Sequence, residues 1–309
     1  MKKRFITAII LLVLLVPAFI VEIFYPVFLV AIVGLAGMAA YEMTMILGED
    51  KMNKFPQVVV IVLSLALMFD TALFMGGGLI LDKYNVFPNT NLFMIFLFPL
   101  IIFTMMVFLK GYTMKHFGHS LLTIIYVGVG FGSIVTLRQM GVRFIIYLFS
   151  ITVFTDVFAF FIGVKFGKHK MTSISPKKSY EGAIAGAVAA TILGSLFALF
   201  YDKVPAVFNP DNNKTLLESF TRLGNYSRGI QALVIVPMTF LGSILGQTGD
   251  LVASKLKREY QAKDFGDIFP GHGGVIDRFD SSMFVGMFLI AIFIVIKVLF
   301  PIVWKMFIF

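Results

Sequence analysis

The chain contains no cysteine. Disulfides, iron–sulfur clusters and thiol chemistry are therefore excluded, although this says nothing about compartment. Charge is also scarce: only 14% of the 309 residues are Asp, Glu, Lys or Arg, against about 25% in a soluble chain. That is too little polar surface to cover a soluble globule of this length. Disordered chains, collagen and coiled-coil rods are excluded as well, because they need polar or periodic sequence. Acidic residues are the scarcer sign, 17 against 26 basic ones, leaving a formal net charge of +9. In a soluble protein this balance would raise nucleic acid as a partner. In so apolar a chain it reports orientation instead, and no nucleic-acid partner is expected.

What is present in abundance is apolar: 59% hydrophobic and 15% aromatic residues, with a mean hydropathy of +0.92. Long runs such as Ile6 to Val16 lack the alternation of a membrane barrel. The expected fold is all-α, a polytopic integral membrane protein. A span needs about 20 apolar residues, and nine stretches qualify, roughly 5–21, 23–47, 58–80, 92–110, 119–137, 143–166, 182–201, 230–250 and 282–304. The first is short and follows Lys2, Lys3 and Arg4, so a signal peptide competes with a span. There is no clean small-x-small cleavage site, and a second apolar run follows at once across Glu22 and Pro26. A helical hairpin is therefore expected.

With a cytoplasmic N-terminus, the inside segments carry seventeen cations and the outside segments eight, with Lys297 inside the last span. This two-to-one bias predicts N-in topology. Two inside segments, about 165–181 and 251–281, are basic and rich in Gly, Ser and Asp. The outside segment 202–229 reads as a solvated loop. The division expected is 1–140, N-terminal helices for packing, dimerisation and lipid access, and 141–309, a catalytic membrane region carrying both loops.

Five acids fall in or beside apolar spans: Glu22, Glu42, Asp70, Asp156 and Asp250. A charge near the bilayer centre costs at least about 2.5–3.5 kcal/mol on insertion scales, so such groups face water, a cavity or a partner. Glu22 and Asp70 are expected to be solvated near an interface. Glu42 either lines a cavity or pairs with a Lys. Asp156 and Asp250 are expected to face a functional cavity.

The richest segment runs from Asp250 to Asp280. It holds Asp250, Asp264, Asp267, Asp277 and Asp280 besides Glu259, and the cations Lys255, Lys257, Arg258, Lys263 and Arg278. If the eighth span continues as a helix, Asp250, Ser254 and Lys257 share one face at i, i+4 and i+7. Asp277 and Asp280 are three apart and share a face on any helix. Pro270 to Gly274 cannot be regular helix, and its glycines permit close backbone approach. Carboxylates mixed with Lys and Arg beside a glycine turn are the chemistry of a metal–phosphate site. Hard carboxylate oxygens suit Mg²⁺, held by one or two carboxylates plus substrate phosphates, while Lys and Arg neutralise the remaining phosphate charge. A structural zinc site is not expected with four His in all and His272 alone in this segment. In the second segment, Ser175 to Gly182, a Ser-Pro start and Glu181 fit a helix N-terminal cap. Lys177 and Lys178 beside free backbone N–H groups suit an anion.

Ser254-Lys-Leu-Lys257-Arg258, four residues, Lys263-Asp264-x-Gly266, then Phe269-Pro-Gly-His272-Gly273-Gly274-Val-Ile-Asp277-Arg278-Phe-Asp280 resembles the signature of phosphatidate cytidylyltransferases, also called CDP-diglyceride synthases. Asp156, the Ser175-Pro-Lys177-Lys178-Ser179-x-Glu181-Gly182 stretch and Gly249-Asp250 resemble the family as well, with Ser179 standing where Thr is common. The first 140 or so residues match only in hydropathy.

The resemblance implies the reaction of CTP with phosphatidic acid to give CDP-diacylglycerol and pyrophosphate, Mg²⁺ dependence, and an association with a monovalent cation such as K⁺. It implies Asp250 and Asp277 as metal ligands, with Asp264 and Asp280 as further candidates. Ser254, Lys257, Arg258 and Lys263 would hold phosphates, and Lys177 and Lys178, with Ser175 and Ser179, would bind one from the other loop. Arg278 would hold phosphate or brace its flanking Asp residues; His272, with Gly273 and Gly274, would shape the turn or do acid–base work. A homodimer in a bacterial inner membrane, with the site facing the cytoplasm and opening sideways to lipid, completes the expectation. The competing reading is a transporter of an anionic lipid or organic phosphate, although paired repeats are missing.

Overall fold

A computed structural model describes residues 17, 19, 21–80, 90–176, 178–268 and 273–307. Eight long helices account for most of it: α1 (Tyr25–Met45), α2 (Lys54–Ile80), α3 (Thr90–Phe108), α4 (Met114–Met140), α5 (Val142–Phe166), α6 (Tyr180–Leu199), α7 (Arg228–Glu259) and α8 (Ile276–Phe307). Among the described residues there is no strand, only an isolated bridge between Lys170 and Ser179. The all-α expectation holds. Among the described residues seven helices are long and apolar enough to cross a membrane, and they coincide with seven of the nine expected spans. The expected span 92–110 falls on α3, within which Leu97–Phe108 is apolar. The expected span 5–21 lies almost wholly outside the described residues.

Local sequence explains several boundaries. Pro26 lies in the first turn of α1, where its missing N–H costs nothing. Gly141, at φ 137°, separates α4 from α5, a conformation that favours glycine. Pro99 and Pro237 lie inside α3 and α7, as membrane helices tolerate.

The chain divides into two compact units, the first formed by Met1–Met140 and Lys255–Met283, the second by Gly141–Ser254 and Phe284–Phe309. In the first unit α2, α3 and α4 pack around a core that includes Val60, Phe98, Ile102 and Ile124, and α1 packs against α2 and α4. One end of this unit gathers short connections. Lys115 pairs with Asp50 at 2.5 Å and His116 Nε2 lies 2.7 Å from the Asp50 carbonyl. The pairing holds the Asp50 carboxyl below its ordinary pKa. His119, a turn further on, reaches the Met43 carbonyl and the Tyr260 hydroxyl. The connection 46–53 and the start of α4 thus meet the stretch that follows α7 at one end of this unit. Asp70 departs from expectation, being buried at 8% exposure rather than solvated. The side chain of Glu22 lies outside the described residues.

In the second unit, α5 and α6 pack backbone to backbone. A Cβ added at Gly186 would sit 2.5 Å from the Thr155 carbonyl oxygen, and one at Gly182 would sit 2.6 Å from that of Ala159. Small residues four apart permit this approach. Hydroxyl pairs tie α5 to α7: Tyr147 to Thr239 at 2.6 Å and Thr155 to Ser243 at 2.8 Å. The loop between α6 and α7 is more ordered than its Asn-rich composition suggests. Leu216, Leu217 and Leu223 are buried, and Asn209 bonds to the backbone at Asn213 and Tyr201. Its leucines, rather than its asparagines, determine how it folds.

Candidate active site

Several of the predicted site residues are brought together in each unit. The cluster in the first unit is built around Asp277, in the first turn of α8. Its side chain is 5% exposed and pairs with Lys257 near the end of α7, Nζ to Oδ1 at 2.5 Å; Lys257 is 13% exposed. The other oxygen, Oδ2, accepts backbone N–H groups from Phe265 and Gly274, both at 3.0 Å. Gly273 has φ +82°, and a Cβ there would meet Asp277 Oδ2 at 2.9 Å and Asp264 Oδ1 at 3.5 Å. The glycine turn therefore lets the backbone pass close to two carboxylates of the signature itself.

The helical expectations hold here. The α7 helix continues unbroken to Glu259, the continuation on which the Asp250–Ser254–Lys257 register depends, and α8 carries both Asp277 and Asp280. Asp280 is buried and accepts the Ser281 N–H at 2.7 Å. Asp264, Lys263, Arg258 and Arg278 are exposed, while Ser254 is half-buried. His272 lies outside the described residues.

The cluster in the second unit centres on Asp250 of α7, which pairs with Lys178. Asp156 of α5 lies within electrostatic reach of both. Asp156 and Lys178 line a cleft of about 480 Å³ together with Ala159, Phe160, Gly163, Val164, Ser175, Ser179, Ala183 and Gln247. Ser179 is the N-cap of α6, its hydroxyl accepting the Gly182 N–H at 3.2 Å, so the capping role expected of this segment belongs to Ser179. His169 Nδ1 lies 2.6 Å from Glu181 and steadies the 167–179 loop. The cleft is amphiphilic: a cation, a carboxylate and two hydroxyls adjoin Phe160 and Val164, both largely exposed at 65% and 74%. Lys177 lies outside the described residues.

Two features were not assigned from sequence. Gln247, which donates to the Ala183 carbonyl at 3.1 Å, lines the cleft from α7. Among the described residues Glu42 pairs with no lysine; it accepts the Val275 and Ile276 N–H groups. Its signal was the acid itself within a span, but no spacing rule pairs residues more than 230 positions apart.

Among the described residues, no three acids or histidines gather into a metal-ligating group. The donor chemistry nonetheless fits a hard cation that keeps most of its shell for phosphates and water: Asp156 and Asp250 in one unit, Asp264 and Asp277 in the other. The chain has no cysteine to favour a soft metal.

The family model described as "Cytidylyltransferase family" matches residues 2–296. Over 166 residues the chain is 37% identical to a protein of Staphylococcus haemolyticus named phosphatidate cytidylyltransferase, covering 53% of this chain and 54% of that one. A protein of the same name from Bacillus subtilis is 35% identical over 196 residues, 62% of this chain and 63% of its own length. The aligned region thus spans about half the length of the staphylococcal relative.

Proposed function

The chain belongs to the cytidylyltransferase family, and on that premise we propose that it catalyses phosphatidate cytidylyl transfer, in which CTP and phosphatidic acid give CDP-diacylglycerol and pyrophosphate. The observation that carries the reading is the family match over residues 2–296, which includes both the 254–280 segment and every residue lining the cleft. The amphiphilic cleft supports the lipid half of the reading.

In the proposed reaction an oxygen of the lipid phosphate attacks the α-phosphorus of CTP. A new P–O bond forms there as the bond from the α-phosphorus to the oxygen bridging to the β-phosphate breaks, and pyrophosphate leaves. The attacking group is already anionic, so no protein nucleophile is required. Catalysis rests on positioning and charge neutralisation. Lys178, with the Ser175 and Ser179 hydroxyls, receives the lipid phosphate, while Phe160 and Val164 face its apolar portion. Ser254, Lys257, Arg258 and Lys263 hold the nucleotide phosphates, with Arg278 adding charge, while Lys177 acts beside Lys178 on the phosphate bound by the other loop. Magnesium would be held by Asp250 in the second unit or by Asp277 in the first, with Asp264 and Asp280 as further candidates, and would supply neutralisation of triphosphate charge. Both basic segments face the cytoplasm of a bacterial inner membrane in this reading, where CTP is available.

The test is a reconstituted assay with purified protein, radiolabelled CTP, phosphatidic acid and Mg²⁺. CDP-diacylglycerol is the expected product. Its absence under conditions where a staphylococcal relative is active would refute the assignment. Movement of label-free phosphatidate across the bilayer without CTP consumption would favour the transporter reading.

A further inference from the structure

Glu42 lies in α1, within a helix long and apolar enough to span a membrane, and is only 2% exposed. No salt bridge reaches it among the described residues. Each carboxylate oxygen instead accepts one backbone N–H, Oε1 from Val275 at 2.8 Å and Oε2 from Ile276 at 3.1 Å. These amides open α8 and have no partner within the helix. The positive end of the helix dipole faces the carboxylate. The chain makes room for it with two glycines: a Cβ on Gly266 would lie 2.8 Å from Oε1, and one on Gly274 would lie 2.5 Å from Oε2.

The next residue of α1 is held as well. The Met43 carbonyl accepts from His119 Nε2 at 2.6 Å, and His119 Nδ1 lies 3.1 Å from the Tyr260 hydroxyl. A carbonyl can only accept, so the imidazole carries its proton on Nε2 and receives the Tyr260 O–H at Nδ1. Burial raises the Tyr260 phenol pKa, which keeps that proton in place. The end of α1 therefore holds the signature segment at two places, directly at Val275–Ile276 and through His119 of α4 at Tyr260. Asp277 follows directly, and its Oδ2 is held by Gly274 and Phe265.

We propose that Glu42 is a positioning residue for cytidylyl transfer: it clamps the start of α8 and thereby fixes the Asp277 carboxylate against Lys257. The proposal rests on the functional reading above for its catalytic consequence, but the clamp can be read without it. A displacement of about 1 Å at a reacting centre costs on the order of 100-fold in rate. Glu42→Ala removes both acceptors. Glu42→Gln keeps the size and one acceptor, but opposes an amide N–H to the other backbone N–H.

The experiment measures kcat and KM for CTP and phosphatidate in both variants, together with hydrogen exchange over residues 273–283. The expected result is a fall in kcat of about 10- to 100-fold, with KM changed much less. Exchange should quicken at 273–283 while α4 stays protected, and Glu42→Gln should lie between wild type and Glu42→Ala. If Glu42→Ala does not fold, the same comparison on Glu42→Gln decides. Wild-type kcat in the variants, a change confined to KM, or unchanged exchange at 273–283 overturns the proposal. Wild-type protein that makes no product, while exchange still responds to the substitution, counts against the functional reading and leaves the clamp supported.

Discussion

Substitution of Asp277 by asparagine separates the structural from the chemical work of the Lys257–Asp277 pair. The pair is almost wholly enclosed, at 13% and 5% exposure, with 2.5 Å between Nζ and Oδ1. Oδ2 already accepts the Phe265 and Gly274 N–H groups. An asparagine must therefore keep its carbonyl oxygen at the Oδ2 position, which turns its NH₂ toward the Lys257 ammonium, donor against donor. Leaving one charge of a buried pair uncompensated costs about 3–5 kcal/mol. Thermal unfolding of the detergent-solubilised protein should register a clear loss for Asp277→Asn. The double variant Asp277→Asn/Lys257→Met removes the stranded charge and should recover most of that loss. Turnover should not recover: both the single and the double variant should run at least about 100-fold slower than wild type, the scale of removing one group that meets transition-state charge. If the double variant regains both stability and turnover, the pair is only a structural tie. Near-normal turnover in Asp277→Asn alone refutes its place in the site.

Other consequences are simpler to test. Chelation with EDTA should stop product formation and added Mg²⁺ should restore it; turnover that persists without divalent cations would refute the metal proposal. Lys178→Ala should raise KM for phosphatidate more than KM for CTP in steady-state assays, and an effect confined to CTP would reverse the assignment of the cleft. Gly186→Leu places side-chain carbon against the Thr155 carbonyl, where a Cβ alone comes to 2.5 Å. Overpacking of this kind costs about 1–3 kcal/mol, so the melting temperature in detergent should drop, and an unchanged value would contradict the close α5–α6 packing.

Much of the fold was legible because apolar runs of span length need no long-range information. Tyr25–Met45, Val142–Phe166 and Tyr180–Leu199 announce themselves by hydropathy alone. The local geometry of the signature was legible too: glycines at 273 and 274, acids three apart at 277 and 280, and a cap at the start of α6. Partners far apart in sequence were not. Lys178 and Asp250 could be assigned to phosphate and metal chemistry one at a time, but their ion pair depends on how α6 and α7 pack. Glu42 was visible as an acid in an apolar helix, yet its partners are backbone N–H groups, which leave no mark in the side-chain pattern. The 202–229 loop misled through composition, since a few buried leucines outweigh a polar average.

The most direct measurement follows the two ends of the nucleotide separately. CTP labelled at the α-phosphorus and CTP labelled at the γ-phosphorus are each incubated with the purified protein, phosphatidic acid and Mg²⁺. The account predicts that α-label enters the lipid phase as CDP-diacylglycerol while γ-label stays in water as pyrophosphate, one for one. Gamma-label entering the lipid, or no label entering it at all, would contradict cytidylyl transfer.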